Sequence, residues 1–209
     1  MDRDLLFALA IGYVLGSIPF GLVLTRLGGK GDIRNIGSGN IGATNVLRTG
    51  NRLLAALTLL LDCLKATAAI LIAQRLLTDP LNDPFGDFAA HYAAASAMIG
   101  HLYPVWLGFK GGKGVATLLG VLIGLQLWWA AAIYAAIWVI LLLTIRISSI
   151  AGMTAAVTAP VTAFAFHQRS FVPLLLGFAV LVLWKHRENV LRLRKGTEPR
   201  IGSKTSSSA

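Results

Sequence analysis

The stretch from Gly37 to Arg48, GSGNIGATNVLR, combines glycines with side chains that bind anions. Glycines let backbone N–H groups converge on an anion, and Ser, Asn and Thr side chains add further donors. Arginine binds phosphate through two parallel hydrogen bonds from a planar guanidinium. These residue types are typical of an anion-binding loop and equally of a turn-rich connection, and composition alone does not choose between them. The candidates are Ser38, Asn40, Thr44, Asn45 and Arg48.

The same stretch matches a dinucleotide-binding fingerprint, Gly37-x-Gly39-x-x-Gly42. A true fingerprint follows a β-strand and opens the helix of a βαβ unit. Here a long apolar run precedes the motif and another begins at Leu53. The nucleotide interpretation is therefore rejected, while the anion-binding chemistry of the residues remains.

A second cluster, FKGGKGVAT at Phe109–Thr117, resembles a P-loop but fails its pattern. Walker A requires Gly where Leu107 stands, and Ser or Thr where Gly114 stands. No nucleotide triphosphatase is implied. Lysines among glycines at the start of a predicted helix still favour an anion site, whereas the alternative is a flexible basic flank. The candidates are Lys110, Gly111, Gly112 and Lys113.

Two further polar clusters follow apolar runs. Ser148 and Ser149, in the segment RISS, can donate to a phosphate or simply cap the helix that follows. The segment KHRENVLRLRKGTEPR spans Lys185–Arg200 and is typical of a polybasic stretch that attracts anionic lipid. That interpretation explains His186 and Asn189 less well. In a helix these two residues share one face and can meet a substrate at the membrane surface.

Few ionisable residues lie within apolar runs. Asp62 and Lys65 are three residues apart and are predicted to pair, because an isolated charge there is costly. His101 is predicted to be a buried, hydrogen-bonded histidine within reach of the lysine-glycine cluster.

The single cysteine, Cys63, excludes an internal disulfide and a cysteine-based metal cage. Gly12-x-x-x-Gly16 and Gly120-x-x-x-Gly124 predict close helix packing.

The composition indicates an all-α polytopic membrane protein. Of the 209 residues 56% are hydrophobic and only 13% are charged, and the mean hydropathy is +0.69. Residues 115–145 would form a helix of about 45 Å, longer than the roughly 30 Å hydrocarbon core, so this run is divided at Trp128 and Trp129. Seven spans are expected at about 5–25 (broken by Gly16, Pro19 and Gly21), 53–76, 88–108, 114–126, 129–145, 149–166 and 171–185. A five-span alternative makes spans four and five a re-entrant pair.

The charges indicate the orientation. Of 19 basic residues, 15 fall on one side of the predicted spans with only three of the nine acids. The positive-inside rule then places the C-terminus in the cytoplasm and the N-terminus outside. This distribution argues against nucleic-acid binding despite the net charge of +10. We expect no cleaved signal peptide, an external acidic connection at 79–87, one domain at 1–201 and a disordered tail at 202–209.

Three motifs together, SGNIGATNVLR, KGGKGVAT and HRENVLRLRKGTE, resemble the PlsY family of bacterial acyltransferases. The resemblance extends from GSIPFG to GTEP. It implies transfer of an acyl group from acyl phosphate to the 1-hydroxyl of glycerol 3-phosphate at the cytoplasmic face of the inner membrane. The lipid bilayer is an expected partner, while no cofactor, metal or obligatory protein partner is implied. Consistent with this family, no histidine has an aspartate five residues later, the His-x-x-x-x-Asp motif of other glycerolipid acyltransferases.

The resemblance also implies roles for the candidates. Catalytic roles fall to Ser38, Asn40, Lys113, His186 and Asn189, with His186 and Asn189 positioning glycerol 3-phosphate. Substrate-binding roles fall to Thr44, Asn45, Arg48, Lys110, Gly111, Gly112, Ser148 and Ser149. A substrate phosphate, rather than a side chain, is expected to accept the proton. The alternatives are a transporter of organic anions or phosphate esters, and a polybasic lipid-binding scaffold.

Overall fold

The computed structural model describes residues 3–77 and 87–202, and these ranges contain helices and connecting loops but no strand. The predicted tail beyond Gly202 and most of the predicted acidic connection lie outside the described residues. The α-helices of this part of the chain are α1 (Arg3–Gly16), α2 (Phe20–Leu27), α3 (Ala43–Leu47), α4 (Arg52–Leu77), α5 (Asp87–Leu102), α6 (Val115–Gly124), α7 (Trp128–Thr144), α8 (Ser148–Ala165), α9 (Val172–Lys185) and α10 (Arg187–Arg194). Short 3₁₀ turns lie at Ile33–Asn35, Val105–Leu107 and Arg169–Phe171.

The helix breaks follow the sequence signals closely. Pro19 precedes α2 and separates it from α1, which confirms the predicted break in the first apolar run. The long run 115–145 is divided as predicted, and Gln126 adopts a positive φ of 58° in the turn between α6 and α7. The helix of the third apolar run ends at Leu102, six residues earlier than the predicted span. Pro104 disfavours helical geometry in the residue before it and cannot donate a hydrogen bond itself.

Small residues allow the helices to pack closely. A Cβ atom at Gly12 would lie 2.0 Å from Ser96 Oγ of α5, and one at Gly16 would lie 2.2 Å from the Ala97 oxygen. A Cβ atom at Gly120 would lie 2.0 Å from the Cys63 oxygen, so α6 meets α4 backbone to backbone. Both predicted small-residue motifs are therefore helix contacts. Because main chains approach this closely, substitution of these glycines would force the helices apart.

Large apolar side chains are exposed around the outside of the bundle. Leu143 is 73% exposed, Val180 65% and Val161 63%. Among the residues that the structure describes, three helical segments are long and apolar enough to cross a bilayer: Arg3–Leu27 with its break, Arg52–Leu77 and Ser148–Ala165. The segment Arg169–Lys185, joined to Arg187–Arg194 through a 54° bend, would be a fourth. An exposed apolar belt on such helices is the surface expected to contact lipid.

One end of the bundle collects the polar clusters. The loop between α2 and α4, the loop between α5 and α6, the turn between α7 and α8, and the bend between α9 and α10 all border the same cavity. The segment after α10 also returns to this end, because Ile201 N donates to the Arg146 oxygen at 2.7 Å and Arg146 Nε donates to the Ile201 oxygen at 3.1 Å.

Candidate functional site

The cavity brings together side chains that are far apart in the sequence. It has about 730 Å³ of empty space, part of it open solvent. Ten of the thirteen candidates from the sequence border it: Ser38, Asn40, Thr44, Asn45, Arg48, Lys113, Ser148, Ser149, His186 and Asn189. Lys110, Gly111 and Gly112 do not, although they belong to the loop that carries Lys113.

The first loop is shaped by its asparagines. Asn45 is buried, and its Nδ2 donates to the oxygens of Ile33 and Ile36 at 3.0 and 2.9 Å. Its Oδ1 accepts from Ser38 N at 3.2 Å, so its amide is occupied in holding the loop. Asn40 Oδ1 likewise accepts from Gly42 N at 2.8 Å. The Ser38 hydroxyl also donates to Asn45 Oδ1, at 3.4 Å, which leaves Thr44 as a hydroxyl beside the cavity and Arg48 as the cation of this loop.

The backbone N–H groups of Gly111 and Gly112, in the second loop, donate to carbonyl oxygens at the end of α5 and not to the cavity. Gly111 N donates to the Leu102 oxygen at 3.2 Å and Gly112 N donates to the His101 oxygen at 3.0 Å. The expected backbone donors are therefore used to hold the loop against the end of α5. The N–H groups of the first turn of α6 lack carbonyl partners within their helix. Val115 and Ala116 of that turn border the cavity.

Lys113 is the cation that this loop delivers to the cavity. Its Nζ donates to Asn189 Oδ1. Burial, reinforced by the nearby positive charge of Arg192, lowers the pKa of Lys113 to about 8. Lys110, by contrast, is exposed and lies outside the cavity. The two lysines of the cluster thus have different surroundings, which the sequence did not distinguish.

Glu198 organises the other side of the cavity. Its side chain is 5% exposed, and its oxygens accept from Ser149 Oγ at 2.7 Å, Asn189 Nδ2 at 2.6 Å and Arg192 Nε at 2.8 Å. Burial raises the pKa of Glu198, but these hydrogen bonds outweigh it and the net pKa is lowered, which keeps the carboxylate ionised. The helix-cap interpretation of Ser149 is wrong, because Ile147 occupies the cap position of α8 without a side-chain cap and Ser149 bonds to Glu198.

His186 lies at the bend between α9 and α10 and is 3% exposed. Its Nδ1 lies 2.8 Å from the Val182 oxygen. A carbonyl oxygen only accepts, so Nδ1 carries the ring proton and Nε2 is left as an acceptor. His186 and Asn189 both border the cavity, in agreement with the shared face that their spacing predicts. Asn189 bridges Lys113 and Glu198, so much of its hydrogen-bonding capacity is used within the protein.

Sequence reasoning missed several residues that border the cavity: Leu59, Asp62, His101, Trp138 and Glu198. Glu198 stood within a predicted motif but was treated as one acid in a basic segment. Asp62 does pair with Lys65, as predicted, at 2.7 Å between Nζ and Oδ1. Neither the pairing nor the burial of His101 indicated that Asp62 and His101 would reach the cavity wall.

We expect Glu198→Gln to destabilise the fold and lower activity together. An amide offers one acceptor atom to three donors, and a buried donor left unpaired costs about 1–3 kcal/mol. Thermal unfolding of the purified protein measures the effect on stability. Initial rates of the acyl transfer that the sequence motifs imply measure the effect on activity. Glu188→Gln is the matched control, because Glu188 is an exposed glutamate of α10, the helix that precedes the segment carrying Glu198. Equal unfolding midpoints for the two variants would contradict this role for Glu198.

The chain is similar to one family of proteins over nearly its whole length. A family model described as glycerol-3-phosphate acyltransferase matches residues 6–196. A protein of Mesorhizobium japonicum named glycerol-3-phosphate acyltransferase is 54% identical over 98% of this chain and 100% of its own length. One of Brucella anthropi with the same name is 52% identical over 98% of this chain and 96% of its own.

Two solved structures share the fold. A crystal structure of PlsY, an integral membrane glycerol 3-phosphate acyltransferase in its glycerol 3-phosphate form, has a TM-score of 0.85 and 37% identity, covering 95% of this chain and 96% of that one. The lysophosphatidic acid form of PlsY has a TM-score of 0.82 and 36% identity, covering 95% of each chain. At these identities the similarity extends to sequence as well as to fold.

Proposed function

Because this chain belongs to the glycerol-3-phosphate acyltransferase (PlsY) family, we propose that it transfers an acyl group from acyl phosphate to the 1-hydroxyl of glycerol 3-phosphate. The products are lysophosphatidic acid and inorganic phosphate, and the reaction is the first acylation of phospholipid synthesis. The observation that carries the proposal is the cavity in which Arg48 and Lys113 face a histidine acceptor and several hydroxyls.

Two anionic substrates must meet in this cavity, and their repulsion has to be neutralised. Arg48 and Lys113 supply positive charge, and Asn40 and Thr44 supply donors along the same wall. Ser148 also borders the cavity as a further donor, whereas Ser149 donates to Glu198 and can offer a ligand only its oxygen as an acceptor. Cations and dipoles fixed in advance stabilise charge that develops during a reaction, and holding the hydroxyl near the carbonyl removes much of the entropic barrier.

Acyl phosphate suits a site without a strong side-chain nucleophile. It is a mixed anhydride with a good leaving group, so the hydroxyl needs less activation than it would for attack on an ester. The glycerol oxygen forms a bond to the acyl carbon, the bond from that carbon to the phosphate oxygen breaks, and inorganic phosphate departs. Within this scheme a phosphate oxygen of the donor accepts the proton of the attacking hydroxyl. Nε2 of His186 holds glycerol 3-phosphate in position by accepting a hydrogen bond from its other hydroxyl.

An apolar groove offers a place for the acyl chain. It continues from the cavity through the shared residues Ala43, Thr44, Leu59 and Trp138. Beyond them it runs along Ala55, Ala56 and Leu142, between α4 and α7. A chain lying there would leave its carbonyl in the polar cavity and its methylene groups against apolar helix faces, where their burial is favourable.

The polar end of the bundle would face the cytoplasm of a bacterial inner membrane. Fifteen of the 19 basic residues belong to the loops and segments of that side. The proposed arrangement has seven crossings, an external N-terminus and a cytoplasmic C-terminus, with residues 1–201 as one domain. In it, α6 and α7 are two short crossings joined by the turn at Gln126, and the exposed Trp128 and Trp129 lie at the interface.

The donor test uses purified protein, labelled glycerol 3-phosphate, and palmitoyl phosphate or palmitoyl-CoA as rival donors. We expect labelled lysophosphatidic acid from palmitoyl phosphate alone. Product from palmitoyl-CoA alone would contradict the proposed donor while leaving the acyltransferase intact. No product from either donor, in protein shown to be folded, would contradict the proposed reaction and would favour the anion-transporter alternative. Family membership favours the enzyme over that alternative.

A further inference from the structure

A buried polar cluster lies beneath the loop that carries Lys113, and the mechanism above does not use it. Asp62, Lys65 and His101 are 3%, 5% and 4% exposed. Lys65 Nζ lies 2.7 Å from Asp62 Oδ1, 2.7 Å from the Ile18 oxygen and 3.0 Å from His101 Nδ1. An ammonium has three N–H donors, and here it faces three acceptors. Charged groups at such depth are costly unless they are paired.

The ammonium determines the tautomer of His101. Because Lys65 donates only, the ring nitrogen facing it must be an acceptor, so Nδ1 carries no proton. The proton of the neutral ring therefore lies on Nε2. A second proton on Nδ1 would direct an N–H group at the ammonium. Asp62 and the Ile18 carbonyl hold Lys65 in place, so His101 is maintained as an Nε2–H donor.

His101 borders the cavity beside the lysine-glycine loop. Its Nε2 lies against Gly112 of that loop: a Cβ atom at Gly112 would be 2.1 Å from this nitrogen, so only glycine leaves room for it. Within residues 3–77 and 87–202, no protein atom is hydrogen-bonded to it. An N–H group without a protein partner is open to water or to a ligand oxygen.

We propose that His101 is a substrate-binding residue whose Nε2–H donates a hydrogen bond to a phosphate oxygen in the cavity, and that Lys65 and Asp62 are positioning residues that fix its tautomer. The inference rests on the proposed function, since it takes the ligand of the cavity to be a phosphate. It also gives the two histidines of the cavity opposite tasks. His101 presents a donor to an anion, whereas His186 presents an acceptor to a hydroxyl, and each task is set by the partner of Nδ1.

The tautomers can be measured without turnover by ¹⁵N NMR of histidine-labelled protein in lipid nanodiscs, with His101→Asn and His186→Asn as assignment variants. We expect a protonated Nε2 and a bare Nδ1 for His101, and the reverse for His186. Titration with inorganic phosphate should shift the Nε2–H signal of His101. Proton attachment at Nδ1 of His101, or no shift of its signal while other cavity signals saturate, would overturn the proposal.

Two substitutions separate donation from packing. In His101→Asn the amide oxygen can replace Nδ1 as the acceptor for Lys65, but nothing replaces the Nε2–H donor. We expect the KM of a phosphate-bearing substrate to rise about 10- to 100-fold, as for a lost hydrogen bond to a charged group. In His101→Gln the amide can reach the position of Nε2 and should restore part of the loss. Wild-type KM values for His101→Asn would overturn the proposal.

The same assay identifies which phosphate is bound. A rise confined to the KM of glycerol 3-phosphate assigns the hydrogen bond to its phosphate, and a rise confined to palmitoyl phosphate assigns it to the donor. Thermal unfolding midpoints show whether each variant is folded. If a variant is not folded, the NMR measurement on the unsubstituted protein still determines the tautomer of His101. If neither acyl donor supports turnover, the proposed reaction fails, whereas the phosphate titration still tests His101 as an anion donor.

Discussion

Replacing Lys113 with methionine should lower kcat/KM for acyl transfer by about 100- to 1,000-fold, the loss typical of removing a preorganised donor to developing negative charge. Methionine keeps the length and apolar stem of the side chain, so the change removes the ammonium more than the packing. The ammonium reaches the cavity, where it bonds to Asn189. Initial rates with palmitoyl phosphate and labelled glycerol 3-phosphate measure the effect.

Lys110→Met is the matched control, because Lys110 belongs to the same loop but is exposed and lies outside the cavity. We expect its rate to stay within about three-fold of the unsubstituted protein, as for exposed charges generally. The pH profile provides a second check. With a pKa of about 8, Lys113 loses its proton as the pH rises through that value, so activity should fall there. Equal losses for both lysine variants would contradict the assignment of Lys113.

Replacing His186 with asparagine should lower kcat about 100-fold, since a substrate hydroxyl misplaced by about an ångström costs that much. The asparagine amide can donate to the Val182 oxygen as Nδ1 does, so the bend between α9 and α10 is retained. It leaves no acceptor at the position of Nε2. Single-turnover rates with saturating substrates measure the loss in the chemical step, and the unfolding midpoint confirms that the variant is folded.

His186→Gln distinguishes positioning of glycerol 3-phosphate from removal of the proton of its attacking hydroxyl. The glutamine amide oxygen can accept a hydrogen bond near the position of Nε2 but is too weak a base to take the proton. If a substrate phosphate accepts the proton, this variant should keep its rate within about ten-fold of the unsubstituted protein. A loss as large as that of His186→Asn would show that the imidazole itself is the base and would contradict the substrate-assisted mechanism.

The helices and the end of the bundle that carries the site could be predicted from the sequence, because apolar runs and charge asymmetry are strong local signals. The division of 115–145 into two helices followed from its length and its paired tryptophans. The end of α5 was placed six residues too late, since apolarity continues past Leu102 while Pro104 stops the helix. Apolar composition marks what enters lipid, and hydrogen-bonding capacity marks where a helix ends.

The hydrogen bonds within the site could not be predicted from the sequence as well as the helices could. Residue types identified Arg48, Lys113 and His186 as candidates, and all three border the cavity. They did not show that the N–H groups of Gly111 and Gly112 would donate to carbonyl oxygens of α5. Nor did they show that Ser149 and Asn189 would both donate to the carboxylate of Glu198. The contact between Ser149 and Glu198 joins residues 49 apart, and the other contacts depend on how each loop folds back onto the preceding helix. No local pattern records either.

The return of the segment after α10 has a consequence for the order of biosynthesis. Glu198 holds Ser149 and Asn189, and Ile201 pairs with Arg146, yet both are translated after every apolar helix described. A bundle whose helices have packed in the bilayer therefore lacks the carboxylate that holds one wall of its cavity until residues 196–201 dock. The last described segment completes the site, and a chain truncated before Glu198 would have its helices but not that wall.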